Sequence, residues 1–151
     1  MNSPRIITVL NGPNLSQLGN REPSNYGDTT QSELIGLIEQ KASVAGVSID
    51  FFQSDIEGEL VQAIGRASGN SIGIVINPAA YSHYSIAILD ALNAFDGPVV
   101  EVHISQVLSR ESFRTNLITA RGADVFIAGA GVTGYLHAID IVCELACENS
   151  S

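Results

Sequence analysis

Charge is what this chain has least of: 15% of its 151 residues are Asp, Glu, Lys or Arg, where a soluble domain ordinarily has about 25%. Positive charge is scarcer still, with one lysine (Lys41), six arginines and a net charge of −9. That balance argues against nucleic acid or an anionic membrane surface as a partner. Cysteine is limited to Cys143 and Cys147, four apart near the C-terminus. With no second pair, neither a zinc site nor a disulfide framework is indicated, and both are read as buried thiols. No apolar stretch near the start has the length of a signal peptide or a membrane span, so a cytoplasmic location is expected. Repeats, linkers and low-complexity segments are also lacking, so residues 1–151 read as one domain.

Apolar residues are plentiful, at 45% of the chain. A chain this short cannot hide that much apolar surface within itself, and a homo-oligomer is expected. The apolar residues fall into five short runs: Arg5 to Leu10, Val47 to Gln53, Ile72 to Ile76, Val99 to His103 and Asp124 to Ala128. Helical patterns separate them. Thr30 opens one that runs to Ala45 with Glu33 as its capping-box partner, and Gly46 stops it. Others cover Glu57 to Ser68, Ser85 to Phe95 and Val132 to Glu148, with a loop and short helix before the fifth run. Alternation of this kind predicts an α/β fold: a flavodoxin-like three-layer sandwich whose five parallel strands take the order 2-1-3-4-5.

Ligands of such a sheet bind beyond the carboxyl ends of its strands. The polar oddities of this chain lie there, after strands one, three and four, which that order makes neighbours. Strand three ends in Asn77-Pro-Ala-Ala-Tyr-Ser-His83, and strand four ends in Glu101-Val-His103 followed by Ile104 and Ser105. Glu101 and His103, two apart on a strand, point to the same face, where a carboxylate can orient an imidazole and favour its protonated form. The segment Asn11 to Thr29 is too long for a simple connection and reads as a lid. It carries Arg21 and Tyr26, and a guanidinium near a phenol favours the phenolate. Arg21, Arg110 and Arg114 all sit in strand-end loops, which suits a small anionic substrate held by guanidinium contacts. Gly129-Ala-Gly131-Val-Thr-Gly134 has the G-x-G-x-x-G spacing, but no strand with an acidic residue follows it. Close strand-to-helix packing explains those glycines better than a dinucleotide does.

Six blocks then stand in order: Asn11-Gly-Pro-Asn-Leu; Leu18-Gly-Asn-Arg21-Glu-Pro-Ser-Asn-Tyr26-Gly27; Gln53-Ser54 with Glu57-Gly-Glu-Leu60; Ile76-Asn-Pro-Ala-Ala-Tyr-Ser-His83; Glu101-Val-His-Ile-Ser105; and Arg110-Glu-Ser-Phe-Arg114. Together they resemble the type II 3-dehydroquinate dehydratases over almost the whole chain. The resemblance implies dehydration of 3-dehydroquinate to 3-dehydroshikimate by anti elimination through an enolate, without metal or cofactor. It implies Tyr26 as the base, Arg21 holding it as phenolate, and His103 as general acid supported by Glu101. Asn14 would position the water that stabilises the enolate. Asn77, His83, the Ile104 and Ser105 amides and Arg114 would hold the substrate's carboxylate and hydroxyls, while Arg110 helps close the lid. Asp90 would reach a neighbouring subunit's site in a dodecamer built from trimers.

Departures from the family's usual text are Ser16 and Gln17, Asp55 for Asn, Ala79 for Gly, Tyr84 after His83, and Thr119-Ala-Arg-Gly-Ala-Asp for a Ser-Pro-like stretch. None removes a group named for proton transfer, so they bear on lid closure and rate. A binding-only paralogue and a flavodoxin-like nucleotide-binding or signalling module are the rivals. The second needs a phosphate-cradling loop after strand one, where Asn11-Gly-Pro-Asn offers one glycine and a rigid proline.

Overall fold

The computed structural model describes residues 3–150. Its strands are β1 (Ile6–Asn11), β2 (Ser48–Gln53), β3 (Gly73–Asn77), β4 (Val99–His103) and β5 (Val125–Ala128). They form one parallel sheet in the order β2-β1-β3-β4-β5, as the alternation predicts. The three inner strands are buried almost end to end, whereas β2 and β5 are half-buried or more open. That difference follows from position, because an inner strand has neighbours on both edges and helices on both faces.

The helices are α1 (Pro23–Tyr26), α2 (Gln31–Ala45), α3 (Glu57–Ala67), α4 (Ile86–Ala94) and α5 (Thr133–Asn149). One face of the sheet packs Ile7, Val9, Val100 and Val102 against Leu34, Ile38 and Ile139 of α2 and α5. The other packs Leu10, Ile74, Ile76 and Val99 against Leu60, Ile64, Ile88 and Leu92 of α3 and α4. The α2 start is the capping box expected: the Thr30 hydroxyl accepts from Glu33 N at 3.1 Å, and the Glu33 carboxylate accepts from Thr30 N at 3.0 Å. Gly46 ends it in the left-handed region at φ 74°.

Three expectations need correction. The segment from residue 12 to 29 holds a 3-10 turn, Leu15–Gln17, and the one-turn helix α1, with Leu15 and Leu18 buried in the core. Two leucines thus anchor what reads as an open loop. The crossing from β4 to β5 is made by three 3-10 turns, Val107–Ser109, Ser112–Thr115 and Thr119–Gly122, in place of one short helix. Cys143 is half-buried and Cys147 exposed, because the buried residues of α5 stop at Val142 and its last turns run past the sheet. Cys147 Sγ lies 3.8 Å from Arg5 Nη2.

Two glycines are set by close approach. A Cβ on Gly12 would sit 2.5 Å from the Pro78 carbonyl oxygen, so only glycine lets the turns after β1 and β3 touch. A Cβ on Gly134 would meet Val102 and Ile127 side chains at 3.3 Å, so that glycine of the G-x-G-x-x-G run sits where α5 presses on β4 and β5. The next residue, Tyr135, is fully buried and spans the strand ends. Asn77 Nδ2 donates to its hydroxyl at 2.9 Å, and that hydroxyl donates to Asn11 Oδ1 at 2.7 Å. Burial pushes this phenol far above the usual tyrosine range despite both partners, so it stays a neutral clamp. Tyr135→Phe keeps the packing and strands both asparagines, which should cost about 1–3 kcal/mol of stability. Urea unfolding checks this, and a change within about 0.5 kcal/mol would show that the clamp contributes nothing.

Candidate active site

Asn11, Asn77 and His103 are the last residues of β1, β3 and β4, and all three are buried polar side chains on adjacent strands. Beyond them lies a cavity of about 160 Å³. Ten of the twelve residues expected at the site line it, Glu101 and Asp90 being the exceptions. Glu101 stands directly behind His103, with His103 Nε2 and Glu101 Oε2 2.8 Å apart. A carboxylate oxygen only accepts, so Nε2 carries the proton there and Nδ1 is the nitrogen left for other work. The second Glu101 oxygen accepts from the Thr119 hydroxyl. The Phe126 ring flanks the imidazole at 5.4 Å between centroids.

Tyr26, at the end of α1, is held between two arginines. Arg21 Cζ lies 5.0 Å from its ring centroid and Arg110 Cζ 5.4 Å, so both cations sit within cation–π range. The hydrogen bond to the phenol oxygen comes from Arg110, whose Nη1 donates to it at 2.9 Å and to Ser105 Oγ at 3.3 Å. Arg21 is thus the flanking cation, and Arg110 is the direct partner expected only to close the lid. It also does the tethering: its other terminal nitrogen lies 3.9 Å from Glu22, so one guanidinium links the lid to the turn after β4.

His83 ends the 3-10 turn Ala79–His83 that follows β3. Its Nδ1 lies 2.9 Å from the Asn116 carbonyl oxygen and so donates to it, while Asn116 Nδ2 donates back to the His83 carbonyl at 3.0 Å. Burial moves the His83 pKa below its ordinary value; the Asn116 carbonyl opposes this and the Arg114 cation reinforces it. The ring is therefore neutral near pH 7, with Nε2 as an acceptor. Arg114 is engaged through Nε with Glu111, whose carboxyl it holds below the usual range, and its terminal nitrogens remain for an anion. Three of the chain's seven cations, Arg21, Arg110 and Arg114, thus line one cavity in a chain of net charge −9. Low-dielectric walls lined by one sign of charge concentrate an anionic ligand.

The departures fall around this centre. Asn14 has a left-handed backbone at φ 67°, and its N–H donates to Asp55 Oδ1 at 2.9 Å. Ala79 sits at φ 52°, its N–H bonded to Asn77 Oδ1 at 3.1 Å. Ser16 and Gln17 are exposed in the Leu15–Gln17 turn, and Tyr84 is exposed with its ring edge-on to Tyr81. Asp90 is exposed on α4, away from the cavity lining. Thr119, read only as part of a departure, and Tyr135, read only as core, touch Glu101 and the Asn11–Asn77 pair, contacts the pattern reading did not foresee. Tyr135 falls in the helical run after β5, where its apolar spacing marks it only as core, and Thr119 lies in an irregular stretch.

The site pairs a phenol under a guanidinium with an imidazole backed by a carboxylate, facing one anion-binding cavity, and such a pair can take a proton and return one. The family model "Dehydroquinase class II" matches residues 5–143. A 3-dehydroquinate dehydratase of Streptomyces avermitilis is 52% identical over 141 residues, covering 93% of this chain and 89% of that protein. One from Bartonella tribocorum is 48% identical over 139 residues, covering 92% and 93%. The crystal structure of type II dehydroquinase from Propionibacterium acnes matches with a TM-score of 0.90 at 39% identity, covering 95% of this chain and 99% of that one. The chain belongs to the class II dehydroquinase family.

Proposed function

We propose that this dehydroquinase removes water from 3-dehydroquinate to give 3-dehydroshikimate by anti elimination through an enolate, with Tyr26 as base and His103 as general acid. One observation carries the reading: the phenol–guanidinium pair and the imidazole–carboxylate pair face the same arginine-lined cavity. The Tyr26 oxygen takes the proton from C2, and the C–H electron pair moves toward the adjacent ketone to give the enolate. Arg110 donates to the phenol oxygen, and a guanidinium hydrogen bond strengthens when its acceptor is an anion. Arg21 adds a second cation over the ring. The enolate then collapses and expels the C1 hydroxyl, to which His103, protonated on both ring nitrogens for this step, gives its Nδ1 proton. The leaving group departs as water, and the ring keeps the Nε2 proton that Glu101 accepts. Loss of the Tyr26 proton with uptake of one at Nδ1 resets the pair. Electrons already in the substrate suffice for this step, so it calls for no metal or cofactor.

Binding follows from the same lining. Arg114 and the Ile104 and Ser105 amides take the carboxylate, and Asn77 and neutral His83 hold hydroxyls. Asn14 positions a water against the enolate oxygen, its turn fixed by the bond to Asp55. The same reading has the chain working in the cytoplasm as a dodecamer built from trimers, with Asp90 entering a neighbouring subunit's site. Tyr84, Ile86, Leu108 and Phe113, large apolar side chains exposed on the single chain, support an assembly that covers them. No helix among the described residues is long and apolar enough to cross a membrane.

The test is an absorbance assay of the purified protein with 3-dehydroquinate in the presence of EDTA, following the conjugated enone of the product. Tyr26→Phe and His103→Ala should each lower kcat by roughly 10²–10⁴-fold with the fold intact. Wild-type turnover in either would remove that residue from the mechanism. A silent wild-type protein that is folded and oligomeric would leave the binding-only paralogue.

His83 gives a pH prediction. Its pKa lies below the ordinary 6.5, so the unfolded chain takes up the proton first as pH falls. The stability it contributes is complete above 6.5 and diminishes below that value. An NMR titration of the ring should show a midpoint under 6.5, and a midpoint at or above it would contradict the neutral acceptor.

A further inference from the structure

We propose that Thr119 is a positioning residue for the general acid: its hydroxyl locks the Glu101 carboxylate that fixes the tautomer and plane of His103. The proposal rests on the role given to His103 above. Glu101 is 0% exposed in the middle of an inner strand, and Thr119 is also 0% exposed. No bulk water reaches that carboxylate, so an ionised form must find its hydrogen bonds inside the protein. Two are present. The Thr119 hydroxyl donates to Oε1 and the His103 Nε2–H donates to Oε2, so two donors converge on the carboxylate, one on each oxygen.

The division matters. Because the hydroxyl occupies Oε1, the carboxylate presents Oε2 to the ring, and the proton on Nε2 is held there. Nδ1 is then the nitrogen that exchanges a proton with the reacting hydroxyl. Without the hydroxyl, Oε1 is a buried acceptor with no donor; the carboxylate relieves this by rotating, which frees the imidazole. The fold holds the hydroxyl in place. Thr119 opens the 3-10 turn Thr119–Gly122, and that turn is pressed onto α4: a Cβ on Gly122 would lie 3.0 Å from Leu92 Cβ and 3.1 Å from Leu89 Cδ1. The turn is therefore seated closely on α4, with Thr119 beside Glu101.

Thr119→Val keeps the shape and deletes the donor, whereas Thr119→Ser keeps the donor. In steady-state assays with 3-dehydroquinate, Thr119→Val should lower kcat about 10–100-fold with KM within about threefold of wild type, and Thr119→Ser should restore kcat to within about threefold. Adding Thr119→Val to Glu101→Gln should lower kcat no further than Glu101→Gln does alone, because the hydroxyl acts through the carboxylate. Circular dichroism confirms the fold of each variant, and Thr119→Ala serves in the same tests if valine is not accepted. Wild-type kcat in the valine or alanine variant, or full additivity with Glu101→Gln, would overturn the proposal. His103→Ala run in parallel separates the two failures. If it is active, the general-acid reading falls; if it is inactive while Thr119→Val is unimpaired, only the role of Thr119 falls.

Discussion

A carboxylate in the interior of a central strand has no solvent to rely on, and much of this site follows from how Glu101 is accommodated. Both of its neighbours along β4, Val100 and Val102, point into the opposite core. Glu101 faces the side filled by α4 and the turn at Thr119, where a bare charge would be costly. Two donors meet it there, one on each oxygen. One of them comes from His103 on the same strand, two residues on, which the pleat places on the same face without any help from the loops. The other must come from elsewhere in the chain. A long crossover helix between β4 and β5 could not easily provide it. The short 3-10 turns that replace such a helix return Thr119 beneath Glu101 and leave Arg110 and Arg114 at the cavity mouth.

The opposite wall faces the complementary problem of placing cations around a phenol in an acidic chain. Arg21 and Tyr26 belong to the lid, and Arg110 belongs to the turn after β4. The lid is kept near that turn by the buried Leu15 and Leu18 and by the contacts of Arg110 with Tyr26 and Glu22. Because Arg110 also donates to Ser105, the phenol oxygen is tied to the same loop whose strand carries His103. The phenol and the imidazole are thus referenced to one strand end, and a rigid scaffold of this kind lowers the entropy lost when a ligand is aligned between them.

Periodicity and punctuation made the frame legible. Uniform apolar runs marked the inner strands, Thr30 with Glu33 marked a helix start, and Gly46 marked its stop. The alternation gave the order that brings Asn77 and His103 side by side. Strand spacing alone also placed Glu101 behind His103. Contacts between distant segments were not legible in the same way. The Arg110–Tyr26 bond joins residues 84 apart and the Tyr135–Asn11 bond residues 124 apart, and no local pattern reports either. Tyr135 carries the apolar spacing of an ordinary core residue, and its hydroxyl matters only because α5 begins above the ends of β1 and β3. The cysteines were misread for a related reason. Their spacing on α5 is regular, but how far the helix outruns the sheet is a property of the tertiary structure.

Two departures from the family pattern, Ala79 and Asp55, keep their contacts with site residues. Ala79 lies at φ 52°, where a side chain costs roughly 1–2 kcal/mol relative to the right-handed region. Its N–H bond to Asn77 Oδ1 holds that conformation, so the strain stays in the turn and the Asn77 amide keeps its direction. Asp55 meets Asn14 N and Gln53 Nε2 through one oxygen, which an asparagine carbonyl could present equally well. The exchange therefore adds a negative charge at the rim and leaves the Asn14 turn unchanged. Thr119 differs from these two, because it stands where the chain leaves the family's text yet supplies the donor that Glu101 requires. A hydroxyl can be delivered by threonine or serine from a turn of varied sequence, provided that turn is pinned against α4. What Glu101 meets from this stretch is one hydroxyl, and the turn that delivers it packs on α4.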